Sequence, residues 1–266
     1  GCFSKCTSLT GIELPTSMTK IEEFTFEGCS SLKDVIIPNS ITNIGDSSFK
    51  NCSSICEITI PDSVTYIGNF SFCGCRSLNH IFIPSSVNEI GRNAFHQTSS
   101  LKLISFRSTF SRNYIGINDH TKIICNTKES RSLYEYAKEF NYGGNVSVNK
   151  REASKYYKKS ADKGNRSAMF RYAYMSQYGD GIPINYSEAL KYYKMHANKG
   201  STTSMNNFGF MLFYGNKIEV NKTDVNNYYK MAADKGNVKA MNEAKKYYQK
   251  AADKRSAEVK KKLLHI

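Results

Sequence analysis

Four cysteines in the first third of the chain, Cys6, Cys29, Cys52 and Cys75, fall 23 residues apart, each followed at the third position by Leu or Ile, as in FEGCSSLKDVIIP. Sulfur placed so regularly suggests a metal ligand, a disulfide, a nucleophile or a small buried group. Zinc sites take thiolates in paired C-x-x-C sets or with closely spaced histidines, and neither accompanies this column. Disulfides between stacked units would bring Cα atoms into range but strain the stack. A fifth unit carries Thr98 at the same place, so the position accepts a small side chain with modest hydrogen-bonding capacity. Buried free cysteine behaves as a small hydrophobe, and burial is the expectation here, with disulfide and zinc as the alternatives. Cys56 and Cys73 fall outside the column and are expected at the surface.

The elements that place these cysteines repeat with the same period. Pro15, Pro38, Pro61 and Pro84 open four units of 23 residues, preceded by half a unit from Phe3 to Leu14. The columns Phe3/Phe26/Phe49/Phe72/Phe95, Ile21/Ile44/Ile67/Ile90 and Ile12/Val35/Ile58/Ile81/Ile104 are apolar throughout. One unit offers about six large side chains at roughly 1.5–3 kcal/mol each if buried. Ordering its backbone costs about 1–2 kcal/mol per residue, so a unit must stack on its neighbours to fold. The L-x-x-I-x-I end of each unit alternates as a short strand does, and the following Pro stops it. Stacking predicts a parallel sheet along the array. Gly45, Gly68 and Gly91 are expected at a tight bend with positive φ, and Glu22 stands at that place in the first full unit.

These residues resemble the BspA-like leucine-rich repeat, P-x-S-V-T-x-I-G-x-x-A-F-x-x-C-x-S-L-x-x-I-x-I, over Phe3 to Phe106. The resemblance implies a solenoid of the kind found in cell-surface antigens and adhesins, and no catalytic residues. The array's outward strand residues are the expected partner-binding face: Lys33, Asp34 and Ile36; Cys56, Glu57 and Thr59; Asn79, His80 and Phe82; Lys102, Leu103 and Ser105. Ile36 and Phe82 stand out there as apolar groups pointing outward, serving either partner binding or contact with a neighbouring segment. From Arg107 the repeat pattern stops. A strand is expected over 121–126 and a helix over 130–140, whose Leu133, Tyr136, Ala137 and Phe140 share one face. The pair resembles a terminal cap shielding the last coil, so the first domain is expected to span 1–149, with its cap at about 107–149.

A second period, of 36 residues, begins after Asn149: Tyr157, Tyr193 and Tyr229 recur, as do Gly164, Gly200 and Gly236. Ala153, Tyr157 and Ala161 lie on one helical face, and the glycine supplies a helix end. Ala168, Ser204 and Ala240 open the second helix where close approach needs small residues. These units resemble the Sel-one-like repeat, a relative of the tetratricopeptide repeat, over about Arg151 to Leu264. The resemblance implies scaffolding of protein complexes. Lys217 replaces a loop glycine, and Asn185 and Asn221 replace a loop aspartate. In the third unit Tyr248 follows Tyr229 far too early for the period, as if a helix and its loop were absent. One long helix from Val238 to at least Lys254 is therefore expected to close the array. The fold class is a leucine-rich-repeat solenoid with a parallel β-sheet, followed over 150–266 by an all-α helix-pair solenoid.

Net charge is +14, and its placement is uneven: residues 1–149 hold 13 basic and 13 acidic side chains, residues 150–266 hold 24 and 10. An anionic partner for the second half, nucleic acid or acidic membrane, is the alternative reading. Twenty of those 24 are Lys, which suits a solvated helix surface better than phosphate forks. No phosphate loop, dinucleotide fingerprint, H-E-x-x-H or nucleophile elbow occurs, so neither enzyme activity nor a cofactor is expected. No apolar run is long enough to span a bilayer. The start at Gly1, inside a repeat, suggests a fragment of a longer protein, which leaves cell surface and cytoplasm equally open. A protein or peptide partner is the expectation, with nucleic acid the weaker candidate.

Overall fold

The computed structural model describes residues 1–106, 110–125 and 128–214, with Met231, Asp234, Lys235, Gly236, Val238 and Asn242. Two compact units divide the chain, Gly1–Tyr156 and Tyr157–Ile266. The expected closing helix over 238–254, the Tyr229 repeat and the replacements Lys217 and Asn221 lie outside the described residues.

The first unit is a stack of coils with two parallel ladders. Strands β1 (Gly11–Glu13) and β3 (Asp34–Ile36) pair with Gly11 opposite Asp34. On another side, β2 (Lys20–Ile21), β4 (Asn43–Ile44), β5 (Tyr66–Ile67) and β7 (Glu89–Ile90) pair in order, Lys20 opposite Asn43 opposite Tyr66 opposite Glu89. The first ladder resumes with β6 (His80–Phe82), β8 (Leu103–Phe106) and β9 (Lys122–Cys125). Between β3 and β6, segment 57–59 of the third coil forms no ladder pairs, although the Asn79 amide donates to the Cys56 carbonyl at 3.2 Å. The register advances with the sequence period because one coil is one repeat. The single strand expected per coil is thus joined by a second, two-residue one.

Inside the coils the repeated columns meet as layers. The phenylalanine column stacks ring on ring, Phe3–Phe26–Phe49–Phe72–Phe95, with centroids 5.2–5.5 Å apart. All but Phe3 are fully buried. The cysteine column is buried at Cys29, Cys52 and Cys75, where each thiol donates to the carbonyl of the phenylalanine one coil back: Cys29 to Phe3, Cys52 to Phe26, Cys75 to Phe49, at 3.0–3.1 Å. Thr98 keeps the position polar by donating instead to Phe95 of its own coil. Cys6, in the first coil of the given sequence, is exposed.

The glycines correct a second expectation. Gly45, Gly68 and Gly91 do not have positive φ. A Cβ there would lie 2.8 Å from the Ile21 carbonyl, 2.6 Å from the Asp46 amide nitrogen and 2.4 Å from the Asn69 amide nitrogen respectively. They are glycines because the backbones of successive coils touch. Positive φ falls instead at Phe24, Ser47, Phe70 and Asn93, and again at Lys5, Gly28, Asn51, Gly74 and Gln97, two left-handed corners in each coil. The far end of the core is completed by Ile115 of α1 (Arg112–Ile115) and by Ile117, both buried in it.

In the second unit, α4 (Arg166–Tyr178), α5 (Tyr186–Asn198) and α6 (Thr202–Tyr214) follow the helix α3 (Lys150–Asp162). Tyr157, Ala161, Ala168, Tyr193 and Ser204 are fully buried at the expected positions. Gly164 and Gly200 have φ of 90° and 93°, as helix-ending glycines should. Asn165 caps α4 through the Ala168 amide, and Asn185 caps α5 through the Glu188 amide, both at 3.0 Å. An Asn in the family's Asp position therefore keeps the cap's acceptor oxygen.

Candidate interaction surfaces

The strand face is built by the outward residues of β1, β3, segment 57–59, β6, β8 and β9. Its first half is open. Lys33, Asp34, Glu57, Thr59 and Cys56 are exposed, and Ile36 exposes 60% of its surface. Lys102 is exposed and Asn79 half-buried.

Its second half is covered, which corrects the outward placement of His80, Phe82, Leu103 and Ser105, all buried. Helix α2 (Glu129–Tyr142) lies on it, burying the predicted stripe Leu133, Tyr136, Ala137 and Phe140. Phe82 meets Tyr136 edge-on at 5.5 Å and Tyr156 at 5.9 Å. The His80 ring stands edge-on to Phe140 at 4.8 Å. Ser105 donates to the Ile124 carbonyl. Lys122 ties β9 to the helix through Glu139 at 2.6 Å. The apolar outward residue is thus a neighbour's docking point at Phe82 and a free surface at Ile36. The stripe on α2 is legible in sequence, but its target is the strand face and not the end of the core. The pointer to that target is the clustering of outward apolar residues, Phe82 and Leu103, in the last coils.

Burial lowers the His80 pKa, an effect that Glu152 opposes and Lys155 reinforces. Glu57 lies 3.8 Å from Nε2, and the Tyr136 hydroxyl 3.5 Å from Nδ1. Burial raises the Tyr136 phenol well above its ordinary value. Burial likewise raises the column thiols, Cys52 to about 12, so they stay protonated donors. Cys73, expected at the surface, is also buried. It is an interior coil's member of a column whose neighbours, Lys50 and His96, are longer than it is. Among the described residues no group of three or more His, Cys, Asp or Glu side chains is arranged to hold a metal.

In the second unit, Lys158 of α3 reaches toward helices α4 and α5 with its side chain still part-exposed. Its ammonium donates to Glu188 at 2.5 Å and to the Tyr192 hydroxyl at 3.2 Å, and lies 5.1 Å from the Tyr172 and Tyr192 ring centres. Tyr192 in turn donates to Asp162. Burial alone would lower the Lys158 pKa, but the bonds to Glu188 and Tyr192 outweigh it and raise it. Glu188 is held below the ordinary carboxylate range chiefly by that same hydrogen bond. The cluster is a part-exposed charge network joining α3, α4 and α5. No helix among the described residues is long and apolar enough to cross a membrane.

Comparison with known proteins matches both halves to repeat families. Residues 1–119 match the BspA type leucine rich repeat region in six copies. Residues 130–165, 166–201, 202–237 and 239–256 match the Sel1 repeat. Similar solved structures include a leucine-rich repeat protein from Bacteroides ovatus, 34% identical over 46% of this chain and 31% of that one, with a TM-score of 0.44. A Sel1 repeat protein from Oxalobacter formigenes is 23% identical over 47% of this chain and 49% of that one, TM-score 0.43. The protective antigen c5321 of uropathogenic Escherichia coli is 22% identical over 48% and 31%, TM-score 0.41. The chain therefore spans about a third to a half of the length of these structures. No curated protein matches it.

Proposed function

We propose that this chain, which joins BspA-type leucine-rich repeats to Sel1 repeats, is a non-catalytic scaffold that holds a protein or peptide partner on the open half of its strand face. Both families are typically protein-interaction scaffolds. The observation carrying the reading is Ile36, an apolar side chain 60% exposed on a strand face whose equivalent position two coils on, Phe82, is an occupied docking point. Around it, Lys33, Asp34, Glu57 and Thr59 supply a polar rim of both signs, the arrangement of a specific interface, with Lys102 exposed further along the stack. Asn79 lies at its edge. His80, Phe82 and Ser105 serve the chain's own helix instead. The division of labour in this reading is 1–149 for the leucine-rich-repeat part and 150–266 for the helical part, although the Sel1 match already begins at residue 130 and the compact units divide after Tyr156; the groove of the helical part offers a second peptide-binding surface. Surface-antigen-like adhesion is the narrower form of this reading, supported by the resemblance of the first part.

Photo-cross-linking tests it. A photoreactive residue at position 36 should trap a protein that Ile36→Asp releases, whereas the same residue at position 89, on the second ladder, should trap none. Cross-links of equal yield from both positions would overturn the reading. The basic second half supports a second one, binding of an anionic polymer, through its 24 basic against 10 acidic residues. That reading requires affinity falling steeply between about 50 and 200 mM salt.

A further inference from the structure

Phe24 and Phe70 stand where backbone preference would not put a phenylalanine, and each keeps part of its ring in solvent. They occupy the same corner of alternate coils, with φ of 57° and 52°, and are 42% and 36% exposed. Ser47 and Asn93 fill that corner in the intervening coils. A bulky side chain at positive φ costs on the order of 1 kcal/mol, which the buried part of each ring offsets while its remaining face stays open to solvent. The corners form one line along the stack. The amides of Phe24, Ser47, Phe70 and Asn93 each donate to the next coil, at Asp46, Asn69, Arg92 and Tyr114, and Tyr114 is itself 54% exposed.

Coil spacing fixes how far apart the rings sit. The buried ladder advances 5.2 Å from Phe26 to Phe49 and 5.4 Å from Phe49 to Phe72. Two coil steps therefore separate the Phe24 and Phe70 positions by roughly 10 Å. Beside them runs a polar ribbon. Asp46 accepts from the Asn69 amide and from its side-chain nitrogen, both at 2.8 Å, and the Asn69 side-chain oxygen accepts from the Arg92 amide at 2.8 Å.

We infer that this edge binds an extended β-1,4-linked polysaccharide, a glucan or an N-acetylhexosamine polymer, with pyranose rings laid on Phe24 and Phe70. A pyranose presents an apolar C–H face suited to an aromatic ring, and a rim of hydroxyls suited to carboxylate and carboxamide groups such as Asp46 and Asn69. In a flat β-1,4 chain the same face recurs once per disaccharide, a length close to two coil steps. Such a ligand needs a ring on alternate coils only, and that is the observed pattern, with Ser47 between. A globular protein partner would set no such repeat distance.

The test is affinity electrophoresis of the full chain through native gels containing hydroxyethylcellulose or glycol chitin, with α-linked dextran as control. The expected result is retardation by at least one β-1,4 polymer and none by dextran. The double variant Phe24→Gly/Phe70→Gly should lose at least tenfold in affinity while Cys52 and Cys75 stay as protected from alkylation as in the native chain, which shows that the stack is intact. Retardation absent in both polymers, equal in dextran, or unchanged in the glycine variant would overturn the inference. So would loss of a cross-linked protein, rather than of a polysaccharide, in that variant.

Discussion

Cys52 shows what a repeated residue does here. Its thiol fills a gap beneath the phenylalanine ladder and gives the Phe26 carbonyl a second donor besides the Cys29 amide. Cys52→Ala should cost about 1–2 kcal/mol, from the small void and the lost hydrogen bond, measurable as a lower denaturant midpoint. The column's regularity makes burial legible in sequence, but the partner is not, because a carbonyl one coil back leaves no mark at the cysteine itself. His80 gives a pH prediction. Its ordinary value is 6.5 and burial lowers it in the folded state, so the unfolded state binds the proton more readily. The stability His80 contributes is complete above about pH 6.5 and declines as pH falls from there toward the lower native value. The opposing pull of Glu152, and Glu57 nearby, limit the effect without reversing it. Amide exchange should show α2 losing protection between pH 7 and 5, and His80→Gln should flatten that dependence. Protection unchanged with pH in the native chain would contradict the placement.

Elements differ in how far the local sequence specifies them. Strand periodicity, the α2 stripe and the helix-ending glycines are each local patterns, and each folds as its pattern requires except at segment 57–59, where the strand pattern forms no ladder pairs. The glycines at 45, 68 and 91 are different. Their requirement is contact with the backbone of the preceding coil, which sequence shows only as an I-G column, the same mark a turn would leave. Gly68→Ala should therefore destabilise by about 1–3 kcal/mol, since its Cβ would press on the Asp46 and Gly45 backbones. The strand face gives a paired prediction. Phe82→Ala should cost about 3 kcal/mol by opening the contact with Tyr136 and Tyr156, whereas Ile36→Ala, at the equivalent open position, should change stability by no more than about 0.5 kcal/mol. Equal costs in chemical denaturation would mean that the two halves of the face are alike. Their difference is hidden in the sequence because which outward strand residue is covered depends on where a helix much later in the chain comes to rest.

At the scale of the molecule, two periodicities divide the chain's work between residues that repeat and residues that vary. Repeating positions build the stack: phenylalanine rings, thiol-to-carbonyl bonds, glycine contacts and helix caps. Varying positions carry what a partner would read, Ile36 and its charged rim on one face, Phe24 and Phe70 on another edge. The excess basic charge lies in the second half, and binding of an anionic polymer there should weaken by an order of magnitude or more as salt rises to about 200 mM, in proportion to the phosphates or carboxylates contacted. The stack itself is tested most directly by the rate at which each cysteine of the native chain is alkylated, read by mass spectrometry. Of the cysteines in the interior coils, Cys56 should react fast, and Cys29, Cys52, Cys73 and Cys75 slower by at least a hundredfold. Equal rates at Cys56 and Cys52, four residues apart in one coil with one thiol outward and the other inward, would contradict the stacked architecture.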